Sequence, residues 1–219
     1  EFGFDTQFDD SVEVAANQLP KKTEQNEIDQ REDYRKIATF TIDPADAKDF
    51  DDALSYQELQ NGNIEIGVHI ADVSHYVKPN DTIDQEAIKR ATSVYLVDRT
   101  IPMLPEVLSN EICSLRPNEE SLCFSVIFEF DNQANVKDYR FAKTIIYSDH
   151  RFSYEDAQSI IESKEGTFAR EITQMNSIAG SLRERKYKNG AINFETTEFR
   201  FTLDSNGKPT SVIPKMRKD

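Results

Sequence analysis

The sequence predicts a mixed α/β chain whose sheet is largely antiparallel and whose helices flank that sheet. Apolar runs close on short turn segments at Asn61-Gly62, at 132–135 and at Ser205-Asn206-Gly207-Lys208, and turns that short join antiparallel neighbours. Other stretches carry helical spacing, the longest near 167–189, where Phe168, Ile172, Met175, Ala179 and Leu182 recur at about the period of one helix face. The chain contains no internal repeat.

Taken in order, residues 1–36 are acidic, contain Pro20 and a polar run over 21–31, and read as a lead-in segment or interdomain linker with one helix at 11–19. The body is expected over 37–219. Ile37, Ala38, Phe40 and Ile42 form a strand that ends at Asp43, because Pro44 forbids its continuation. Residues 54–59 and 64–73 flank Asn61-Gly62 as a hairpin, and the alternation of Ile64, Ile66, Val68 and Ile70 is that of a half-buried strand. Beyond Pro79, Thr82-Ile83-Asp84-Gln85 fits a capping box opening a helix to about residue 91. Residues 93–97 read as extended, and Pro102 and Pro105 fix a loop before a short helix at 106–114. Strands at 124–130 and 138–147 follow, then a helix from Ser153 with Asp156 in the capping position. The long helix finds its C-terminal cap in Gly190, and 199–203 with 210–213 make the last hairpin.

Length and composition set milder bounds. The 219 residues suffice for one large domain or one and a half small ones. No apolar run approaches the roughly 18 residues of a membrane span, and the N-terminus lacks the pattern of a signal peptide, so the default compartment is cytoplasmic, with no membrane partner. Cys113 and Cys123 stand alone in apolar contexts, as buried free thiols do. A net charge of −14 argues against a nucleic-acid partner, but the charge is unevenly spread. Residues 1–60 hold 16 acidic and 6 basic side chains, whereas 183–219 hold 9 basic and 5 acidic. The cluster Arg183, Arg185, Lys186 and Lys188 suits phosphate contacts or, equally, the negative end of a helix dipole.

The most informative segment is Thr41 to Leu54, where Asp43, Asp46, Asp49, Asp51 and Asp52 put five carboxylates within ten residues. At an effective dielectric near 20, each pair at about 4 to 5 Å repels by roughly 3 to 4 kcal/mol, so convergence requires a cation or protons. Oxygen-only ligands favour Mg²⁺, Mn²⁺ or Ca²⁺. Asp51 and Asp52, adjacent at a strand start, point in different directions and could serve two ions a few Å apart, as in-line phosphoryl displacement uses. An EF-hand fits poorly, since Lys48 and Leu54 fall where its Gly and bidentate Glu belong. A solvated acidic loop is the competing reading.

Other motifs are weaker. His69, Asp72 and His75 invite a transition-metal reading, but on a strand His69 points away from Ile66, Val68 and Ile70, and hydrogen-bonding roles fit the histidines better. There is no Gly-rich phosphate loop, serine nucleophile elbow or cysteine–histidine pairing.

The blocks Thr41-Ile42-Asp43 with Asp49-Phe50-Asp51-Asp52-Ala53-Leu54, Val68-His69-Ile70-Ala71-Asp72-Val73-Ser74-His75-Tyr76-Val77, Thr92-Ser93-Val94-Tyr95-Leu96, Ile101-Pro102-Met103-Leu104-Pro105, and Leu108-Ser109 with Cys113-Ser114-Leu115 occur in that order. In that order they resemble the RNB-type catalytic domain of the ribonuclease II and ribonuclease R family. The resemblance spans the whole chain and is densest over 37–130.

It implies a metal-dependent hydrolase that digests single-stranded RNA from its 3′ end and releases nucleoside 5′-monophosphates. It also implies that Asp43, Asp49, Asp51 and Asp52 form the catalytic centre. Asp43 and Asp52 match the positions that hold Mg²⁺, with Mn²⁺ a substitute; Asp49 and Asp51 match those that help a second ion or orient the attacking water. Tyr95 matches a tyrosine that packs near the terminal nucleotides, Phe194 a phenylalanine against which bases stack and, less closely, Tyr154 a tyrosine that helps set the final product length, each of which core packing would otherwise explain. The resemblance further implies flanking RNA-binding domains of the cold-shock and S1 type, and a second catalytic part that supplies an arginine. The chain is thus expected to be the N-terminal part of such a domain, inactive alone, with an unpaired sheet edge or an exposed apolar face. A relative that binds RNA or protein without cutting, and a Ca²⁺-stabilised structural domain, are the alternatives.

Overall fold

The computed structural model describes residues 5–21, 23–192 and 198–215. In chain order these form α1 (Asp10–Asn17), α2 (Gln25–Ile28), β1 (Glu32–Tyr34), β2 (Ala38–Asp43), β3 (Asp52–Glu58), β4 (Ile64–Ala71), α3 (Val73–Tyr76), α4 (Thr82–Arg90), β5 (Val94–Tyr95) and β6 (Thr100–Ile101). A π turn, Leu108–Ile112, precedes β7 (Glu120–Phe130), β8 (Val136–Tyr147), β9 (His150–Ser153), α5 (Tyr154–Ser163), α6 (Ala169–Lys188), β10 (Glu198–Leu203) and β11 (Pro209–Lys215). The mixed α/β class is therefore the observed one.

Seven strands form the central sheet in the order β1-β8-β7-β4-β3-β2-β9. Its middle is antiparallel, with β3–β4 and β7–β8 as hairpins and a long connection between β4 and β7, while both edges are parallel: β1 runs with β8 (Glu32↔Thr144) and β9 with β2 (Asp43↔Ser153). The sequence reading did not foresee these two strands. Each is too short to show alternation, and each pairs with residues about 110 positions away.

Alternation along the strands divides the core into two layers. Tyr56, Ile64, Ile66 and Phe130 face α5 and α6, packing with Phe40, Phe152, Ile172 and Met175. Ala53, Ala71, Cys123 and Ile127 face the opposite way, into a cluster with Ala16 of α1, Ile83 of α4 and Leu108. The β4 strand is thus covered on both faces over most of its length rather than half-buried, and only Ile70 emerges. Gly67 is required on this strand, because a Cβ there would lie 2.4 Å from His69 Nε2 and from Ser55 Oγ.

The acidic lead-in contributes to this core. Val12 and Ala16 are buried, and the enclosed Arg31 guanidinium is held by Asp72 at 2.7 Å, by Glu27 at 2.7 Å and by the Cys123 carbonyl at 3.1 Å.

Local signals were met with small corrections. The cap of α4 is Asp81, which accepts from the Asp84 amide at 2.7 Å, so Thr82 is the first helical residue and not the cap. Residues 108–112 widen into a π turn, with the Cys113 amide reaching the Leu108 carbonyl at 2.8 Å. On α5 Ser153 and Asp156 form a complete reciprocal capping box. On the α5/α6 face of the sheet, Phe124, Tyr139 and Phe141 stay about half or more exposed, forming an apolar patch. Among the described residues no helix is long and apolar enough to cross a membrane.

Candidate functional site

Asp43 is the last residue of β2, flanked in the sheet by β9 and turned away from further pairing by Pro44. It is only 8% exposed, and its Oδ2 is buried with no hydrogen-bond partner among the described residues. Burial raises its carboxyl above the ordinary range, and the charges of Asp52 and Asp49 add to this against the opposing pull of Thr41 and Arg151. A buried, unpartnered carboxylate oxygen is costly unless something else supplies the missing interaction.

The segment from Pro44 to Asp51 is irregular but held in place. Ser114, almost fully buried just after the π turn, accepts from the Phe50 amide at 3.0 Å and donates to the Lys48 carbonyl at 3.3 Å. The Leu115 amide bonds the Phe50 carbonyl at 2.8 Å, and the Ala71 amide bonds the Asp51 carbonyl at 3.0 Å. From the other side Arg151 of β9 donates to the Pro44 carbonyl and lies over the Phe50 ring, 5.5 Å from its centre. The backbone that carries the aspartates is thus fixed although it has no regular structure. Partial desolvation, then the charges of Asp49, Asp52 and Asp43, raise Asp51, and Asp52 opens β3 at an exposed position.

Of the expected aromatics, Tyr95 is brought to the aspartates: it is 69% exposed and donates to Asp49 Oδ2 at 3.4 Å. Desolvation and the charges of Asp49 and Asp51 raise its phenol. Beside it lies a cleft of about 850 Å³ with Leu96, Val97, Phe199, Phe201 and Ile213 among its walls. Tyr154 opens α5 immediately after Ser153, the β9 partner of Asp43, and is 45% exposed. Phe194 lies outside the described residues.

Among the described residues, no three His, Cys, Asp or Glu side chains are grouped as a ready-made metal cage. The four aspartates nonetheless lie close enough for neighbouring carboxylate charges to add to the burial that raises Asp43 and Asp51. They fit a hard cation: every donor is oxygen, Asp43 Oδ2 has a free acceptor among the described residues, and burial followed by neighbouring carboxylate charge raises Asp43 and Asp51, a cost that a cation relieves. Mg²⁺ in particular is held by one or two carboxylates together with waters and substrate phosphates, and needs no complete protein cage.

The histidines lie apart from this chemistry. His69 is fully buried, with Nδ1 2.8 Å from Ser125 Oγ and Nε2 2.8 Å from Ser55 Oγ, and burial lowers it to about 4. His75 approaches Glu27 at 3.6 Å. Both cysteines are buried free thiols, and burial pushes Cys113 up to about 12. The residues missed by sequence reasoning are Ser114 and Arg151. A lone Ser after a loop and a lone Arg on a short strand carry no local signal; their roles follow from tertiary contacts with the aspartate segment.

The RNB domain family model matches residues 31–219. Ribonuclease R of Thermotoga maritima is 42% identical over 217 residues, covering 96% of this chain and 31% of that protein. Ribonuclease R 1 of Lactococcus lactis is 39% identical over 221 residues, covering 97% of this chain and 27% of that protein. A solved structure of Mycoplasma genitalium RNase R in complex with ribose-methylated single-stranded RNA superposes with a TM-score of 0.86 at 30% identity, over 96% of this chain and 34% of that one. The chain therefore spans about a third or less of the length of these relatives. With a domain match over most of its length and relatives near 40% identity, the chain belongs to the RNB domain family.

Proposed function

We propose that this chain provides the aspartate-bearing part of the catalytic site of a metal-dependent 3′-to-5′ exoribonuclease acting on single-stranded RNA and releasing nucleoside 5′-monophosphates. The observation that carries this reading is the buried Asp43 carboxylate, its Oδ2 unpartnered, facing the charges of Asp49 and Asp52 on a segment anchored from both sides. A structural acidic loop has no need to bury a carboxylate oxygen without a hydrogen bond.

Asp43 and Asp52, at the ends of two neighbouring strands, would hold a divalent ion, Mg²⁺ or Mn²⁺, with Asp49 and Asp51 assisting a second ion or orienting the attacking water. Such ions supply hydroxide near neutral pH and neutralise charge on the phosphate. The chain's own residues do the rest: the Ser114 contacts hold Asp49 and Asp51 against the strand ends. Tyr95, exposed and tethered to Asp49, presents a ring face on which a terminal base can stack without sequence preference. Tyr154, exposed at the start of α5, would be a further base contact, a role the resemblance also gives Phe194. The likeness to a ribonuclease R solved with single-stranded RNA supports an RNA substrate. In this reading the complete protein adds RNA-gripping domains and a catalytic arginine from elsewhere, so the isolated chain is inactive.

The test is Asp52→Asn in the full-length protein. Hydrolysis should fall almost to nothing while RNA affinity is retained, because the change deletes a ligand and leaves the stacking surface untouched. Undiminished turnover at saturating Mg²⁺ would remove Asp52 from the site.

A further inference from the structure

Resting on that reading of the aspartates, we propose that Arg151 is a positioning residue: one guanidinium ties the two ends of the aspartate segment together, so that Asp43 and Asp52 address the same ion. Three observations place it there. Arg151 sits on β9 directly opposite Thr41 of β2, two residues from Asp43. Its terminal nitrogen donates to the carbonyl of Pro44, the residue following Asp43, which pins the start of the segment. Its guanidinium lies over the ring of Phe50, the residue preceding Asp51, which pins the end.

The ends of this segment are otherwise held separately. The Ser114, Leu115 and Ala71 contacts act on Lys48, Phe50 and Asp51, and none of them reaches Pro44. Arg151 is thus a side chain that spans both ends. The planar guanidinium suits this, since it can donate in its plane and stack with its face, which an ammonium cannot do. It also lies close enough to Asp43 and to Asp156 for its charge to favour both carboxylates. Its Nε is buried and has no acceptor among the described residues.

Residues that orient metal ligands without touching the ion typically change metal affinity or activity by roughly 10- to 100-fold when removed. In the full-length protein, Arg151→Met keeps an unbranched apolar stem and removes both guanidinium contacts. The half-saturating Mg²⁺ concentration for RNA hydrolysis should rise by roughly 10- to 100-fold, with KM for RNA and melting temperature unchanged. Mn²⁺ affinity measured without RNA by electron paramagnetic resonance should weaken by a similar factor. Arg151→Lys, which retains the charge and can reach the carbonyl but cannot stack, should fall between wild type and Arg151→Met.

Wild-type ion dependence and Mn²⁺ affinity in Arg151→Met would overturn the proposal. So would a loss of activity that merely follows a lowered melting temperature, with ion dependence unaltered. Should Arg151→Met fail to fold, Arg151→Lys decides: an intact ion dependence there overturns the proposal, and a raised requirement supports it. A wild-type protein that hydrolyses no RNA would overturn the functional reading instead, and the Mn²⁺ affinities of wild type and variants would still judge Arg151.

Discussion

His69 has both ring nitrogens occupied by serine hydroxyls in a fully buried position, and this makes the fold sensitive to acid. Burial holds its pKa near 4 in the folded chain against about 6.5 unfolded. Because the folded value is the lower one, the stabilisation is fully present above pH 6.5 and is lost as pH falls toward 4, amounting to about 3 kcal/mol. The stability difference between wild type and His69→Gln should shrink by up to that amount between neutral pH and pH 4, as followed by denaturant unfolding. A difference that stays flat would mean that His69 takes up its proton without unfolding. Tyr95 presents the opposite situation, since its exposure of 69% leaves little core contact to lose. In the full-length protein, Tyr95→Ala should weaken single-stranded RNA binding by roughly 1 to 3 kcal/mol with the melting temperature unchanged; a lowered melting temperature with intact affinity would return Tyr95 to a packing role. At this scale the density of carboxylates draws attention to the aspartate segment, but spacing alone leaves a solvated acidic loop equally open. Arg151 and Ser114 were not legible, because each matters only through a backbone group far away in sequence.

Elements with a local cause were legible and those with a distant cause were not. Asn61-Gly62 turns β3 into β4, and the spacing of Ile172, Met175 and the residues around them gives α6, because both signals lie within the element itself. The capping box of α5 is of the same kind. Ser153 accepts from the Asp156 amide at 3.1 Å and the Asp156 carboxylate accepts from the Ser153 amide at 3.1 Å. Ser153→Ala should therefore lower the unfolding free energy by about 1 kcal/mol, measured as a shift in denaturation midpoint, and Ser153→Thr should lose much less. Equal losses in the two variants would show that the hydroxyl's bond is not what stabilises the helix start. By contrast β1, with the sequence Glu-Asp-Tyr, has neither alternation nor β-branched residues, and only the long-range partner Thr144 and its neighbours make it a strand. The π turn is of this second kind too: its residues suit an ordinary helix, and the buried Leu108 and Cys113 beside it pack into the second core layer.

At the scale of the whole molecule, the sheet has an antiparallel middle closed at each side by a short parallel strand, and the aspartates sit at the side closed by β9. Short edge strands offer little template for pairing with another chain, and β9 covers β2 from Phe40 to Asp43, whereas β1 covers β8 only from Thr144 to Ile146. The apolar patch of Phe124, Tyr139 and Phe141 instead lies on the α5/α6 face of the sheet, as an exposed face expected from the sequence. The parallel closure at β9 also has a consequence in time. Phe40 pairs with His150, so the outer edge of β2 has no neighbour until about 110 further residues have been synthesised, a delay of roughly 5 to 20 s at ribosomal speed. Throughout that interval the nascent chain carries all four aspartates without Arg151 to draw their backbone together, and with β2 open to any other extended segment nearby. On the proposed reading, the aspartate segment would therefore take its final form late in translation, when β9 emerges and seals the edge.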